Sequence, residues 1–448
     1  MPYPRLSLVK QTFETTFISD IPSKIHEELT KLNLNSKVKA GHTIAVTAGS
    51  RGIDRINIII KAVIDELKAL KAQPFIVPAM GGHGGGTADG QLAVLTKYGI
   101  TEKEMGVPVK SSMDVVELGK SKLNIPVYFD KCAHTADHVV VINRIKPHTR
   151  FIGKIESGIM KMLIVGLGKR EGATTCHRAI ARYSFDEIIH SIASIILTKI
   201  PVLFGLAIIE NACGQTADLV ACKPEEFLHV EPKLKEKAAK MMARLPFNDI
   251  DLLIIDEMGK DISGTGMDTN IIGRGGSSDI KVVRIYVRDL TEKSGGNACG
   301  IGLADFTTRR LVNKINFQET YLNCITGMRP EGAKIPITCE NDKEAIDKAL
   351  ATLAISKPED AKVIRVKNTL QLDKLMLSEG YDEEIKRHPN LELLSPFKEI
   401  EFDSNGNLFT SPAFGVLSLW LRNTFAFFTL LFSLLFTTIL NFGSFLGL

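Results

Sequence analysis

Residues 42–85, HTIAVTAGSRGIDRINIIIKAVIDELKALKAQPFIVPAMGGHGG, contain two short apolar segments separated by a segment whose apolar residues recur at helical spacing. Short apolar runs predict buried strands, and a 3.6-residue period predicts an amphipathic helix. Parallel strands need a crossover of this kind, and the crossover is right-handed. The stretch therefore predicts a βαβ unit and with it a parallel sheet.

Each of these predicted strands ends in a glycine-rich loop, AGSRG after the first and GGHGGG after the second. The carboxyl ends of parallel strands lie at one edge of the sheet, where open α/β folds bind ligands. Glycine loops at that edge commonly bind phosphate through backbone N–H groups, which requires no imidazole. The histidine in the second loop, His83, therefore needs a different explanation.

Strands and helices alternate along the rest of the chain. Strands are predicted at 138–145, 201–211 and 281–289, helices at 224–244 and 302–315, and the pattern of an apolar strand followed by a glycine loop begins again at 250–268. This alternation predicts an α/β fold. We expect two α/β domains with mainly parallel sheets and an active-site cleft between them. Their predicted bounds are 1–247 and 248–410, followed by a hydrophobic tail at 411–448.

Composition excludes several classes of protein. With 448 residues and 44% hydrophobic content, the chain can bury a large core. The net charge of +4 comes from charges spread along the whole length, and there is no basic block of the kind that binds nucleic acid. The seven cysteines include no CxxC pair, which argues against a disulfide framework or a zinc ribbon. We therefore expect a cytoplasmic protein that binds no nucleic acid.

The two ends of the chain differ in character. The first residues mix prolines with charges, so no secretory signal peptide is expected. After Arg422 comes NTFAFFTLLFSLLFTTILNFGSFLGL, an uncharged run longer than the ~20 residues that span a bilayer. Two interpretations remain open: a membrane anchor at residues 423–448, or an addition to an otherwise soluble enzyme.

Three histidines follow apolar elements at positions where a rigid scaffold presents functional groups. They are His83, His148 in NRIKPHTRFIGK, and His177 in GKREGATTCHRA. Histidine transfers protons near neutral pH and is a common ligand of nickel, copper and zinc. The pattern is compatible with two acid/base groups and one metal ligand, with a three-histidine metal site, and with three unrelated loop residues.

Three lysines lie in the apolar, glycine-rich segment FIGKIESGIMKMLIVGLGK, at positions 154, 161 and 169. Lys161 has the most apolar flanks, where a solvated charge is least expected. A desolvated lysine has a lowered pKa and becomes a nucleophile that can link a cofactor covalently. The alternative is a lysine whose stem is buried while its amine reaches water.

Together, these motifs resemble the nickel-dependent lactate racemase family. The resemblance rests on the arginine loop, the Gly-His loop, a Pro-His followed by Phe-x-Gly, a lysine in an apolar segment, and a histidine sixteen residues after that lysine. It covers roughly residues 10–400 and is strongest at 43–180. The extra lysine at 154 leaves two candidates for the family's lysine, and the spacing to His177 favours Lys161 over Lys154.

The resemblance implies a racemase or epimerase acting at C2 of a 2-hydroxy acid. The family's cofactor is a nickel pincer nucleotide, a pyridinium-3,5-bisthiocarboxylic acid mononucleotide joined to a lysine and holding nickel with the help of a histidine. Here these residues would be Lys161 and His177. His83 and His148 would move the substrate's hydroxyl proton during proton-coupled hydride transfer. Proteins that make the cofactor are implied as partners.

Substrate-binding residues follow from the same resemblance. Arg51 would bind the substrate carboxylate through its two-pronged guanidinium group. In the second domain, the glycine loop DEMGKDISGTGMDTN would present Lys260, Asp268 and Asn270, assigned by position. Two other functions remain as alternatives: a mononuclear metal hydrolase that uses the three histidines, and a non-catalytic nucleotide-binding module.

Overall fold

The structure is a computed structural model that describes residues 2–149, 152–276 and 278–409. Within these ranges, no helix is long and apolar enough to cross a bilayer. The hydrophobic tail and the anchor predicted at 423–448 lie outside the described residues.

The first sheet has five strands in the order β3-β2-β6-β7-β8, of which the first four are parallel and β8 is antiparallel. A separate antiparallel hairpin, β4–β5, lies beside it. The bounds of these strands are β2 Thr43–Ala48, β3 Gln73–Pro78, β4 Val115–Lys120, β5 Pro126–Asp130, β6 His138–Arg144, β7 Val202–Glu210 and β8 Thr216–Cys222.

Helices cover both faces of this sheet, and two apolar clusters, one on each face, form its core. A π-helical turn at Met162–Gly166 separates α6 from α7. The helices are α1 Ile21–Thr30, α2 Ile56–Ala69, α3 Ala88–Lys97, α4 Glu102–Met105, α5 Lys131–His134, α6 Ile159–Lys161, α7 Lys169–Ala179, α8 Phe185–Lys199 and α9 Phe227–Met241.

The second sheet has eight strands in the order β12-β11-β10-β9-β13-β14-β1-β15. Strands β9 to β13 are parallel, and β14, β1 and β15 complete the sheet by antiparallel pairing. Its strands are β1 Leu6–Gln11, β9 Asp249–Ile255, β10 Lys281–Val287, β11 Phe306–Thr308, β12 Ile337–Cys339, β13 Val363–Asn368, β14 Gln371–Ser378 and β15 Leu391–Leu393. The associated helices are α10 Thr269–Ile272, α11 Arg309–Asn313, α12 Phe317–Thr326, α13 Asp342–Ala351 and α14 Asp382–Arg387.

The predicted fold class is confirmed: the chain is α/β with mainly parallel sheets, and the βαβ unit forms at β2, α2 and β3. Two details differ from the sequence predictions. Strand β1, assigned by sequence to the N-terminal domain, pairs with β14 and β15 in the second sheet. The helix predicted at 302–315 begins only at Arg309, because residues Phe306–Thr308 form a buried strand between β10 and β12.

Candidate active site

The candidate site lies where the carboxyl edge of the first sheet meets the loop that follows β9. Two contacts join these parts: the Lys146 amine lies 3.6 Å from Asp268, and Thr269 Oγ1 donates to the Thr149 carbonyl at 2.7 Å. Arg51 also reaches across, since a Cβ added to Gly264 would lie 3.4 Å from its Nη2. The two parts therefore form the walls of one cleft.

His83 is presented by the glycine loop after β3. Gly84 has φ +65°, and a Cβ there would lie 2.6 Å from the backbone of Gly90, so only glycine allows this close turn. The Gln91 side chain donates to the carbonyls of Gly81, at 2.8 Å, and His83, at 3.3 Å. The loop is thus held from below by α3, and the imidazole has a fixed position.

The environment of His83 keeps its imidazole neutral. His83 is exposed to solvent in part, yet desolvation by the protein around its imidazole is the largest cause of a pKa lowered to about 4. The positive charges of Arg51, Lys161 and Lys260 lower the pKa further, as does His177. At neutral pH, His83 is therefore able to accept a proton.

Ser50 orients the His83 ring. Its Oγ lies 2.5 Å from Nδ1 of His83, and its carbonyl accepts a hydrogen bond from the Tyr98 hydroxyl at 3.0 Å. For Nε2 to act as a base, Nδ1 must carry the hydrogen and donate it to Ser50. The Ser50 hydroxyl can accept that hydrogen, so the contact is compatible with the tautomer that a general base requires.

Lys161 is close enough to His83 and Arg51 for its charge to interact with both. Burial, reinforced by the positive charge of Arg51, lowers the pKa of its amine to about 7. A substantial fraction of this amine is therefore unprotonated at neutral pH, which makes Lys161 a strong nucleophile for an acyl group.

The other two lysines of the segment have different surroundings. Lys169 is fully buried, 3.0 Å from Asp130, and its amine donates to the Pro78 carbonyl at 2.6 Å and to Gln91 at 3.2 Å. Lys154 is exposed to solvent. Lys169 is thus fixed in a buried ion pair that supports the Gly-His loop, and Lys161 is the lysine of this segment that lies beside Arg51 and His83.

His177 lies near the carboxyl end of α7, and its charge is among those that lower the pKa of His83. The structure therefore brings together five predicted site residues: Arg51, His83, Lys161, His177 and Lys260. Arg51 itself has a lowered pKa because of burial and the neighbouring Arg144. Together, the cationic side chains gathered here give the cleft a positive charge, which favours an anionic ligand.

His148 lies in the loop after β6, between Lys146 and Thr149, whose contacts reach the second domain. Its backbone N–H donates to the buried Glu156 carboxylate at 2.8 Å. The position of the loop is therefore set by Glu156, and His148 lies at the same sheet edge as His83.

The second-domain residues divide into two groups. The amine of Lys260 donates to the Gly264 carbonyl at 2.5 Å and to Asn323 at 2.8 Å, and burial lowers its pKa. Asp268 caps α10, accepts from Asn270 and faces Lys146. Lys260 thus lies among the charges of the cleft, while Asp268 and Asn270 contribute to the junction of the two domains. The substrate-binding roles of all three stay predictions.

Within the described ranges, no group of three or more His, Cys, Asp or Glu side chains is arranged to hold a metal. The hydrolase alternative, which needs His83, His148 and His177 around one ion, therefore gains no support from the geometry.

The geometry agrees with a comparison of the sequence with known families. Residues 14–186 match the family model of the lactate racemase N-terminal domain. This part of the chain is similar to a lactate racemase N-terminal domain. The resemblance predicted from the motifs is thereby confirmed, and the matched residues include the arginine loop, the Gly-His loop and the segment with Lys161 and His177.

A solved structure shows a likeness in fold that extends beyond residues 14–186. The lactate racemase apoprotein from Thermoanaerobacterium thermosaccharolyticum is 14% identical with a TM-score of 0.51, over 81% of this chain and 94% of that chain. A structural-genomics protein from Thermotoga maritima is 15% identical with a TM-score of 0.48, over 78% and 96% of the two chains. At such identities the likeness concerns the fold alone. The search of curated proteins found no match.

Sequence reasoning overlooked several residues that support the candidate site. Ser50 precedes Arg51 in the first glycine loop, and its position there was a visible signal. Asn323, which contacts Lys260, lies 63 positions away on α12 and carried no local signal. The buried Glu156 and Glu231 were also missed, because an isolated glutamate in a sequence does not reveal its burial.

Proposed function

We propose that this chain is a racemase or epimerase acting at C2 of a 2-hydroxy acid, with a nickel pincer nucleotide bound in the cleft. The observation that carries the proposal is the meeting of Lys161, with a pKa lowered to about 7, and His83, with a pKa lowered to about 4, beside Arg51. A nucleophilic amine, a neutral base and a carboxylate-binding cation are the groups that this reaction requires.

The residues present fit the cofactor. Lys161 offers an amine able to form a thioamide, and the nearby His177 offers an imidazole nitrogen, a donor that suits nickel. When bound, the cofactor supplies a reversible acceptor for the hydride of C2.

The chain's own residues bind the substrate and move its proton. Arg51 binds the carboxylate with two parallel hydrogen bonds and fixes the hydroxyl near the histidines. His83 accepts the hydroxyl proton through Nε2 while Ser50 holds Nδ1. His148, on the neighbouring loop, returns a proton when the opposite face of the carbonyl is reduced. The positive charge of Lys260 completes the anion-binding wall.

The lowered pKa of His83 gives a testable pH dependence. Because the base form persists until pH approaches 4, we expect kcat/KM of the loaded enzyme to stay level through pH 6.5 on the acid side. A nuclear magnetic resonance titration of His83 in the cofactor-free protein should show its midpoint near 4. A midpoint near the ordinary value of about 6.5 would contradict the desolvated, cation-flanked environment.

The function is tested by purifying the chain from cells that also express the cofactor-making proteins, which are its proposed partners. Single enantiomers of a panel of 2-hydroxy acids are incubated with it and analysed by chiral chromatography. We expect at least one acid to reach a mixture of both enantiomers. The matched control is the same chain made without the cofactor-making proteins, which should leave every enantiomer unchanged.

A further inference from the structure

Helix α9 places a buried carboxylate under the turn that carries Lys161. Glu231 is 1% exposed, and its Oε2 accepts the N–H of Met160 at 3.0 Å and also bonds the N–H of Ile159. These are among the first N–H groups of the helical segment that begins at Ile159, and such groups have no partner within their own helix. By accepting these N–H groups, the carboxyl group of Glu231 anchors the start of that segment.

The approach of this carboxylate depends on a glycine. A Cβ added to Gly158 would lie 2.2 Å from Glu231 Oε1 and 2.7 Å from its Cδ, so a larger residue would displace the Glu231 side chain. A Cβ on Gly205 of β7 would similarly meet Ile159 at 2.7 Å and Phe227 at 2.9 Å. Two glycines thus allow α9 and the Lys161 segment to pack closely against each other and the sheet.

The same face of α9 supports the loop of His148. Lys235, one turn after Glu231, lies 2.8 Å from the 1% exposed Glu156 and donates to the Gly153 carbonyl. Glu156 in turn accepts the backbone N–H of His148 at 2.8 Å. One helix face therefore sets the positions of two segments that carry site residues.

We infer that Glu231 is a positioning residue that fixes the Lys161 amine inside the cleft by anchoring the first turn of its helical segment. The anchoring itself is a property of the cofactor-free protein. Only its consequence for catalysis rests on the proposed function. Without the anchor, the turn frays and the amine gains water. Its pKa then rises from about 7 toward the ordinary 10.5.

The chemistry of Glu231 suggests a conservative variant. Burial raises its pKa to about 8, and its Oε1 is buried with no hydrogen-bond partner among the described residues. Near neutral pH the side chain is therefore mostly the neutral acid, which the amide of Glu231→Gln imitates in shape and charge. Glu231→Ala removes the oxygen that accepts the Met160 N–H. Gly158→Ala keeps that side chain but displaces it, because the added Cβ would clash with it.

The test measures the pH dependence of Lys161 acetylation by pulses of acetic anhydride, read by peptide mass spectrometry on cofactor-free protein. We expect the wild type and E231Q to share a midpoint near 7, and E231A and G158A to shift it upward by about one unit or more. Hydrogen exchange at the Met160 amide should become faster in E231A and G158A. Glu236→Gln, at an exposed position of the same helix, is the matched control and should change neither measurement.

An unchanged Lys161 midpoint in folded E231A or folded G158A would overturn the inference. E231Q keeps the test decisive if E231A does not fold. E231Q retains an acceptor oxygen, so a Lys161 midpoint shifted in E231Q as far as in G158A would show that the accepted hydrogen bonds do not fix the amine. Both measurements use protein without cofactor, so they are independent of whether the loaded wild type interconverts 2-hydroxy acids. A failure of this inference is therefore distinct from a failure of the proposed function.

Discussion

Replacement of Lys161 by alanine should remove the covalent cofactor from the protein completely. The amine at this position is the one lowered to a pKa of about 7 beside Arg51, and a thioamide cannot form without it. Intact-mass spectrometry of protein made beside the cofactor pathway should show the adduct on the wild type and the unmodified mass on Lys161→Ala. Racemase activity should be lost with it.

The matched control is Lys154→Ala, seven positions earlier in the same segment. Lys154 is exposed, and its backbone N–H, which the substitution leaves in place, bonds Asp186 at 2.9 Å. This variant should keep both the adduct and the activity. An adduct that persists on Lys161→Ala and disappears from Lys154→Ala would transfer the attachment role to Lys154.

Replacement of His83 by alanine should lower kcat by about 10²–10⁴-fold in both directions while leaving nickel and the adduct in place. Each direction needs one histidine to accept the hydroxyl proton and the other to return one, so His148→Ala should behave in the same way. The measurements are initial rates from each enantiomer, together with nickel content and intact mass.

Ser50→Ala provides a graded comparison for His83. It removes the hydrogen bond at Nδ1 but keeps the imidazole, and a single such bond contributes about 0.5–1.5 kcal/mol, or roughly 2- to 12-fold in rate. Loss of nickel from both His83→Ala and His148→Ala, with activity recovered on reconstitution, would identify these histidines as metal ligands and contradict their role in proton transfer.

The fold could be predicted where the signal was local. The βαβ unit at residues 43–78 follows from the spacing of apolar residues alone. Strand β1 could not be placed, because its partners β14 and β15 lie more than 360 residues later in the chain. Residues Phe306–Thr308 fit a helical pattern, but burial between two parallel strands decides their conformation. Long-range pairing, which the sequence does not display, overrides local preference there.

The candidate site was predictable to a similar extent. The Gly-His loop and the apolar flanks of Lys161 marked both residues before their surroundings were known. The sequence left Lys154 as a second candidate beside Lys161, because it does not display which of the two amines is buried near Arg51. The supports at Glu231 and Asn323 were invisible for the same reason, since each acts on a residue more than 60 positions away.

The central claim is that hydrogen leaves C2 of a 2-hydroxy acid and returns to the same carbon without exchange with water. The direct test uses one enantiomer that carries deuterium at C2, incubated in ordinary water with the nickel-loaded protein. The account predicts that the opposite enantiomer forms and retains the deuterium. Replacement of the label by hydrogen from water, or no interconversion of any acid by protein that carries both nickel and the adduct, would contradict it.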